Sequence, residues 1–326
     1  LYHRGICKQR KLEVPVISVG NLLLGGTGKT PLVHYIANLL QRHHKKPAIL
    51  SRGYKGSATA AINVVSNSTD ILLNATEAGD EPCLLAEKLP GIPVITGKKR
   101  FTTGRFAIDS LGVDTLILDD GFQHLALKRD LDLVLFSTRT LLGNGRVLPG
   151  GDLREPLSSL KRAHAFIISG TDASEDGNVN EFISLLGSLF PEKPLFTCPY
   201  EPEKMLARIS NGKNDTISPA DACKVALYGF CGIAGPESFK KTLEITGIKL
   251  TGFQTFADHH VYSAENIQSL LHKAKKSGAD GLVTTEKDLV KLRNIYPFGF
   301  PLLALPVQLR FDEDFDRFLV NHIAQI

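Results

Sequence analysis

The chain has 326 residues, 43% of them apolar and 22% charged, and its 38 basic and 34 acidic residues give a net charge of +4. These values exclude a disordered chain and a small disulfide-stapled fold. Five scattered cysteines without a C-x-x-C pair indicate reduced thiols, not a disulfide framework or a zinc site. No apolar run in the sequence reaches the length of a membrane-spanning helix. The length suits about two domains.

Short apolar runs alternate with amphipathic segments of helical length through the first half of the chain. In chain order, we predict strands at 14–19, 48–50, 94–96, 115–118, 131–136 and 165–168, and helices at 29–41, 80–89 and 101–111. This alternation predicts an α/β fold with a mostly parallel sheet and helices on both faces. The polar stretch 171–180 is predicted to be a loop.

A second α/β pattern follows a segment at 209–220, which contains Asn-Gly and Ser-Pro and predicts a hairpin or linker. Strands are predicted at 225–228, 249–256, 281–284 and 302–305, and helices at 237–246, 264–277, 287–293 and the C-terminus. We therefore predict a first domain over 1–215 and a smaller α/β domain over 216–326 that closes over the site of the first.

A glycine-rich turn lies between the first predicted strand and helix and reads Gly25-Gly26-Thr27-Gly28-Lys29-Thr30. This context is that of a P-loop, and it predicts a P-loop NTPase-like fold. The glycines let backbone N–H groups surround an anion, Lys29 is predicted to reach the β- and γ-phosphates, and the Thr30 hydroxyl to bind Mg²⁺. Leu23 occupies the first glycine position of the strict motif, so a plain glycine-rich turn is the alternative.

Acidic residues suited to phosphoryl transfer occur at two places. The strand at 115–118 ends in Asp119 and Asp120, a Walker B pattern in which one carboxylate can hold Mg²⁺ and the other can orient it or accept a proton. Asp80 and Glu81 begin a predicted helix. Asp80 is either the helix N-cap or a general base for a substrate hydroxyl. The basic run 98–100 is either a phosphate site or a solvated helix face.

Further polar residues follow predicted strands, where ligands of open α/β sheets bind. In the first domain these are Gln123, His124 and Arg154. In the second domain, Asp258-His259-His260 follows a strand. Adjacent histidines on an extended chain point in opposite directions and suit one metal ion poorly, so this segment favours a contact with the reacting centre over a zinc site.

Taken together, these segments resemble, in order and over nearly the whole chain, the tetraacyldisaccharide 4′-kinases. The resemblance rests on the blocks at 14–21, 25–30, 50–54, 79–82, 118–124, 151–156 and 258–259. It implies ATP-dependent phosphorylation, with Mg²⁺, of the 4′-hydroxyl of a tetraacylated glucosamine disaccharide 1-phosphate to give lipid IVA. It further implies that Asp80 is the catalytic base with His259 as its partner. Lys29, Thr30, Asp119 and Asp120 would serve the nucleotide and metal. The residues it implies for the cleft are Asn21, Ser51, Arg52, Glu81, Arg100, Gln123, His124 and Arg154.

The resemblance also implies a lipid substrate met at the cytoplasmic face of a bacterial inner membrane. Family members usually begin with a hydrophobic anchoring helix, and we expect that helix to be missing from this sequence. No obligatory protein partner is expected, and the absence of a basic stripe with interleaved aromatics argues against nucleic acid. Two alternatives stay open. One is a ParA/MinD-like switched ATPase, whose signature lysine would fall at Leu24; the other is a kinase of a small soluble metabolite.

Overall fold

The computed structural model describes residues 8–171, 177–203, 206–210, 213–293, 295–296 and 299–325. The chain forms two compact units, the first from Leu1–Tyr200 together with Leu309–Ile326 and the second from Glu201–Gln308. This division differs from the boundary predicted at 215. The chain leaves the first unit at Tyr200, and the C-terminal helix belongs to the first unit because the chain returns to it at Leu309.

The first unit contains eight strands and six α-helices in the described residues. The strands are β1 (Val16–Gly20), β2 (Pro47–Ser51), β3 (Asn63–Ser66), β4 (Val94–Thr96), β5 (Thr115–Asp119), β6 (Leu131–Ser137), β7 (Ala165–Ser169) and β8 (Leu195–Cys198). The helices are α1 (Lys29–Arg42), α2 (Ala75–Ala78), α3 (Asp80–Lys88), α4 (Arg100–Leu111), α5 (Gly177–Leu189) and α10 (Glu313–Ala324). A 3₁₀ helix covers Leu157–Arg162.

Each strand and helix predicted up to residue 168 is present to within two residues. The loop predicted at 171–180 is wrong at its end, because residues 177–180 form the first turn of α5; residues 172–176 lie outside the described part. The first turn of α5 is polar, so the sequence of 171–180 shows no helical pattern. The buried apolar residues of this helix are Val179, Phe182 and Leu186, and two of them follow residue 180.

The large sheet has the strand order β3-β4-β2-β5-β1-β6-β7-β8, with every neighbouring pair parallel except β3 with β4. Ile49 and Ile117 belong to the core on the α1 side, whereas Leu50 and Leu118 belong to a separate core with α4. Successive strand residues point to opposite faces, so these alternating residues bury both faces under helices. The predicted mostly parallel sheet covered on both faces is confirmed.

The last helix completes the core of the first unit. Phe315 and Leu319 of α10 are buried in the same cluster as the apolar face of α1. The Tyr35 hydroxyl of α1 donates a hydrogen bond of 2.6 Å to Asp316 Oδ1. Burying a side chain such as Phe315 contributes about 2 kcal/mol, so α10 stabilises the unit that carries the glycine-rich turn.

The remaining elements follow β8 along the chain. Strands β9 (Tyr200–Pro202), β10 (Leu206–Ser210), β11 (Lys213–Ile217), β12 (Ala226–Cys231), β13 (Lys249–Thr255), β14 (Gly281–Thr285), β15 (Leu302–Leu305) and β16 (Val307–Leu309) accompany helices α6 (Pro219–Ala222), α7 (Pro236–Ile245), α8 (Ala264–Lys276) and α9 (Glu286–Leu292). The sheet of the second unit has the order β11-β10-β15-β14-β12-β13, with an antiparallel hairpin at one edge. This is the smaller α/β pattern that the sequence predicts. Within the described ranges, no helix is both long and apolar enough to cross a bilayer.

Candidate nucleotide and phosphoryl-transfer site

Three neighbouring strands bring polar residues to one edge of the large sheet. β5 lies between β2 and β1, and all three run parallel. Ser51 ends β2 and Asp119 ends β5, and the Ser51 hydroxyl donates a hydrogen bond of 3.1 Å to Asp119 Oδ2. Because carboxyl ends of parallel strands meet at the same edge, this edge is the expected ligand site of the fold.

The glycine loop, Gly25–Thr30, begins α1 at this edge. Gly28 is the N-cap of α1 and has a φ of +89°, a backbone conformation that side chains rarely adopt. A Cβ on Gly28 would also lie 1.9 Å from the Tyr200 hydroxyl. The close approach of Tyr200 and the left-handed backbone both require glycine here. The packing of Tyr200 against Gly28 therefore restricts the conformation of the glycine loop.

Two side chains hold the buried residue of the glycine loop. Asn21 Nδ2 donates to Thr27 Oγ1 at 2.9 Å, and the Ser169 hydroxyl donates to the Thr27 carbonyl at 3.0 Å. Gly25 and Gly26 are exposed while Thr27 is buried. The loop is therefore anchored at Thr27 and open at its glycines, an arrangement that suits backbone N–H donation to an anion.

Lys29 lies among acceptors at the start of α1. Its Nζ is 3.3 Å from Asp120 Oδ1 and donates a hydrogen bond of 3.2 Å to Asn21 Oδ1. Arg154 Nη1 donates to both carboxylate oxygens of Asp120, at 2.9 and 2.7 Å. Burial opposes ionisation of Asp120, but Lys29 and Arg154 outweigh it and lower the pKa of this carboxyl below its usual value. Asp120 is therefore an anion that holds two cations in place.

Asp119 has the opposite electrostatic environment. Burial, followed by the charges of Glu81 and Asp120, raises the pKa of the Asp119 carboxyl to about 7. Its Oδ1 is buried and has no hydrogen-bond partner among the residues that the structure describes. A buried carboxylate oxygen without a partner is costly, and a cation at this position would remove the cost.

A basic group lies near the two aspartates. Arg100 is 3% exposed, and its Nη1 donates to the Gly97 carbonyl at 2.8 Å. Its Nε has no partner in the described part of the chain. Burial lowers the pKa of Arg100 to about 10, while Asp119 and Asp120 act in the opposite direction. The arginine is thus a buried cation with a donor available to an anionic ligand.

His124 lies in the same positive environment. Burial, then the charges of Arg100, Arg129 and Arg52, lower the pKa of His124 to about 4. The imidazole is therefore neutral at pH 7. The arginine charges that contribute to this lowered pKa favour a negatively charged ligand beside His124.

The start of α3 is packed against the segment that follows β2. Gly79 is the N-cap, with a φ of +93°, and a Cβ on it would lie 2.6 Å from the Tyr54 carbonyl. The prediction of Asp80 as N-cap is therefore wrong, since Asp80 is the first residue inside the helix. Asp80 is 7% exposed, and its Oδ1 accepts a hydrogen bond of 3.0 Å from the Glu81 amide. The charge of Glu81 raises the pKa of Asp119, so this helix start lies near the paired aspartates.

Most of the residues predicted for the site converge at this edge of the sheet. Gln123 Nε2 donates to the Asn21 carbonyl at 3.0 Å, and Gln123 Oε1 accepts from Arg154 at 3.4 Å. Thr30 lies in the first turn of α1. Direct contacts or charge interactions join the members of a larger set: Asn21, Thr27, Lys29, Ser51, Arg52, Glu81, Arg100, Asp119, Asp120, Gln123, His124 and Arg154.

His259 belongs to the second unit. It has a φ of +57°, its Nε2 lies 3.2 Å from Lys287 Nζ, and its amide donates to the Gly232 carbonyl at 3.1 Å. Its pairing with Asp80 stays a prediction.

Two residues near the glycine loop carry no signal in the sequence. Tyr200 donates a hydrogen bond of 3.3 Å to Ser169, which in turn binds the Thr27 carbonyl. Burial raises the pKa of the Tyr200 phenol to about 12, so it is a neutral donor at pH 7. Both residues are far from the loop in sequence, and a lone Pro-Tyr pair or a strand-ending serine has no motif that could have identified them.

A glycine loop that joins the first strand of a parallel α/β sheet to a helix, with paired aspartates at the end of the adjacent strand, defines a P-loop nucleotide-binding protein. The sequence model of one such family, described as tetraacyldisaccharide-1-P 4′-kinase, matches residues 1–324. The chain belongs to this family.

Relatives with this description include proteins from two bacteria. The chain is 44% identical over 324 residues to the tetraacyldisaccharide 4′-kinase of Desulfotalea psychrophila, covering 99% of this chain and 91% of the relative. It is 40% identical over 315 residues to that of Syntrophus aciditrophicus, covering 95% and 83%. Among solved structures, the "apo" form of LpxK from Aquifex aeolicus in complex with ATP superposes with a TM-score of 0.75 at 32% identity, covering 99% of this chain and 92% of that one.

Proposed function

We propose that the protein transfers the γ-phosphoryl group of ATP to the 4′-hydroxyl of tetraacyldisaccharide 1-phosphate, giving lipid IVA and ADP. One observation carries this proposal. The family match extends over the whole chain and coincides with a site where the glycine loop, Lys29 and the pair Asp119–Asp120 converge. The ATP in the solved LpxK structure supports ATP as the donor.

The glycine loop is proposed to hold the triphosphate. The glycines Gly25, Gly26 and Gly28 would present backbone N–H groups, with Thr27 anchored behind them. Lys29 Nζ lies 3.3 Å from Asp120 Oδ1. The β- and γ-phosphates compete with Asp120 for this ammonium group, so the lysine needs only a small movement to bind them.

Magnesium fits the residues present at the site. Asp119 offers a buried carboxylate oxygen without a partner in the described part of the chain, and Asp120 and Thr30 offer further oxygens. Among the described residues, no group of three or more His, Cys, Asp or Glu side chains is placed to hold a metal by itself. Mg²⁺ commonly binds to one or two carboxylates together with substrate phosphates, as this arrangement requires. When bound, the ion would neutralise charge on the phosphate oxygens.

Asp80 is the proposed general base. The 4′-oxygen attacks the γ-phosphorus, the bond from phosphorus to the β–γ bridging oxygen breaks, and the hydroxyl proton passes to the Asp80 carboxylate. The hydrogen bond from the Glu81 amide to Asp80 Oδ1 holds this carboxyl group in position at the start of α3. His259 is the partner that the family resemblance implies.

The arginines and the remaining cleft residues have separate proposed roles. Arg100, Arg52 and Arg154 would offset the charge of the transferring group and of the acceptor's 1-phosphate. Asn21, Ser51, Glu81, Gln123 and His124 would line the cleft for the disaccharide. Neutral His124 can accept or donate a hydrogen bond to a sugar hydroxyl.

The acceptor carries acyl chains, so it resides in a membrane. We therefore place the protein at the cytoplasmic face of the bacterial inner membrane, where ATP and the lipid meet, without an obligatory protein partner. The small positive net charge of +4 is compatible with an anionic membrane surface.

Phosphoryl transfer can be measured directly with ATP labelled at the γ-phosphate. The wild-type protein is expected to label tetraacyldisaccharide 1-phosphate in mixed micelles and not to label soluble glucosamine or its phosphates. Labelling of a soluble sugar would support the metabolite kinase instead. ATP hydrolysis that ignores lipid and needs a second protein would support the switched ATPase, and either result would overturn the proposed acceptor.

A further inference from the structure

A loop of the first unit exposes apolar side chains beside the glycine loop. Val147 and Leu148, in the connection between β6 and the 3₁₀ helix, are 38% and 49% exposed. Leu24, which directly precedes Gly25, is 49% exposed. Arg146 and Pro149 are also exposed. These five residues, Leu24 and 146–149, are called the apolar rim below.

Backbone hydrogen bonds hold the apolar rim in its outward position. The amide of Leu153 donates to the Arg146 carbonyl at 3.1 Å, and the Leu153 carbonyl accepts from the Leu148 amide at 3.0 Å. The Leu24 amide donates to the Asp152 carbonyl at 3.0 Å. Leu153 itself is fully buried in the core below. The buried leucine and its bonds therefore fix a loop whose apolar side chains point away from the core.

The apolar rim lies at the same sheet edge as the candidate site. Leu24 directly precedes the glycine loop. The segment 146–149 continues along the chain to Arg154, whose Nη1 donates hydrogen bonds to Asp120. An acceptor whose sugar reaches Asp80 and the γ-phosphate from a bilayer must approach this edge. Apolar side chains exposed here would meet the bilayer that holds the acyl chains.

The charge and size of the apolar rim favour a lipid surface over a protein partner. Arg146 supplies one cation to the rim. The connection also carries the exposed Arg139 and the exposed Asp152, so its exposed cations outnumber its exposed acid. Basic and apolar side chains together are typical of surfaces that bind anionic bilayers. Five residues are far fewer than the 20 or so on each side of a stable protein interface.

We propose that the apolar rim is the surface through which the protein contacts an anionic bilayer, with Val147 and Leu148 among the acyl chains and Arg146 at the lipid phosphates. This inference rests on the proposed function, because it takes the bilayer to be the place where the acceptor lies. Beyond that function, it identifies the part of the protein surface that faces the membrane. It also gives the orientation of the protein on the bilayer that brings the sugar of the acceptor to the site.

Vesicle sedimentation of the 326-residue chain tests the inference without turnover. The vesicles are phosphatidylethanolamine with one quarter phosphatidylglycerol, or neutral phosphatidylcholine. Leu148→Asp is expected to weaken binding to anionic vesicles by at least about tenfold, because a charge replaces an inserted apolar group. Arg146→Gln is expected to weaken it by about fivefold, and to leave binding to neutral vesicles unchanged.

Leu72→Asp is the matched control. Leu72 is 52% exposed, similar to Leu148, and follows β3, which runs antiparallel to β4. It therefore lies near the amino edge of the parallel strands, opposite the site, and its replacement is expected to leave vesicle binding unchanged. The KM for ATP is expected to be unchanged in all three variants, which also shows that they fold.

The outcomes separate the inference from the proposed function. The inference is overturned, and the function left intact, if the wild-type protein phosphorylates micellar lipid but does not bind vesicles. The same holds if Leu148→Asp and Leu72→Asp weaken vesicle binding equally. Loss of a dimer in Leu148→Asp would identify a second copy as the occupant and also overturn it. Failure of the wild-type protein to phosphorylate micellar lipid overturns the function instead.

Discussion

Replacing Asp119 with asparagine is expected to make the folded protein more stable at neutral pH and to remove its kinase activity. The Asp119 carboxyl has a pKa of about 7 in the fold and 3.8 as the ordinary value, mainly because burial disfavours its charge. At about 1.4 kcal/mol per tenfold difference in proton affinity, this interval corresponds to up to about 4 kcal/mol of unfavourable charge burial. Asparagine keeps the shape and carries no charge.

The pH dependence of this gain follows from the direction of the shift. Between pH 3.8 and about 7 the folded state binds the Asp119 proton that the unfolded state has released, so the wild-type protein loses stability as the pH rises through this window. Below pH 3.8 the carboxyl is protonated in both states and the contribution is absent. The advantage of Asp119→Asn is therefore expected to grow from about pH 4 and to level off above pH 7.

Urea unfolding followed by far-ultraviolet circular dichroism measures the difference, and suits a chain without tryptophan. Asp120→Asn is the matched control with the opposite sign, because Lys29 and Arg154 lower the pKa of Asp120 and its stabilisation is lost only as the pH falls through that lowered value. An Asp119→Asn protein no more stable than wild type at pH 8, or one whose advantage is the same at pH 4 and pH 8, would refute the reasoning.

Three further predictions concern the kinetics of the site. Asp80→Ala is expected to leave ATP binding near normal and to lower kcat by about 10²–10⁴-fold, the usual contribution of a general base; a normal kcat would remove Asp80 from this role. Lys29→Ala is expected to raise the KM for ATP and to lower kcat, and unchanged kinetics would contradict the assignment of the glycine loop. Tyr200→Phe removes the hydroxyl that binds Ser169 and is expected to raise the KM for ATP by about fivefold, from the roughly 1 kcal/mol of a neutral hydrogen bond, with little change in kcat. Tyr35→Phe removes a shorter hydrogen bond, to the Asp316 carboxylate and away from the loop; an equal or larger rise in KM in that control would show that the Tyr200 effect is only structural.

Local patterns predict the part of the site that is close in sequence. The strand before Gly20, the glycine loop and the helix after Lys29 each have their own signature, and the apolar run before Asp119 predicts a strand that ends in carboxylates. The parallel sheet then brings these segments to one edge. The fold class, the first strand–loop–helix unit and most of the residues at that edge therefore follow from the sequence.

Contacts between distant segments are what the sequence does not reveal. The Asn-Gly and Ser-Pro pairs near 209–220 predict a hairpin or linker, and we place the domain boundary there. The antiparallel strands β10 and β11 of this stretch lie inside the second unit and Ser218 is the N-cap of α6, so the boundary falls elsewhere. The packing of α10 on α1 depends on partners such as Tyr35 and Asp316, which are 281 residues apart. The approach of Tyr200 to Gly28 likewise depends on packing. So do the pKa shifts of the paired aspartates, which are upward for Asp119 and downward for Asp120.

The return of the chain to its first unit at Leu309 affects how the protein can fold during synthesis. An N-terminal domain usually folds while the ribosome is still translating the rest. Here the unit with the glycine loop receives Phe315 and Leu319 only after the whole second unit has been translated. The second unit is continuous in sequence and can fold first. A premature stop codon just before α10 would therefore leave the second unit intact. The first unit would expose the apolar surface that α10 covers, and proteases and chaperones would act on it.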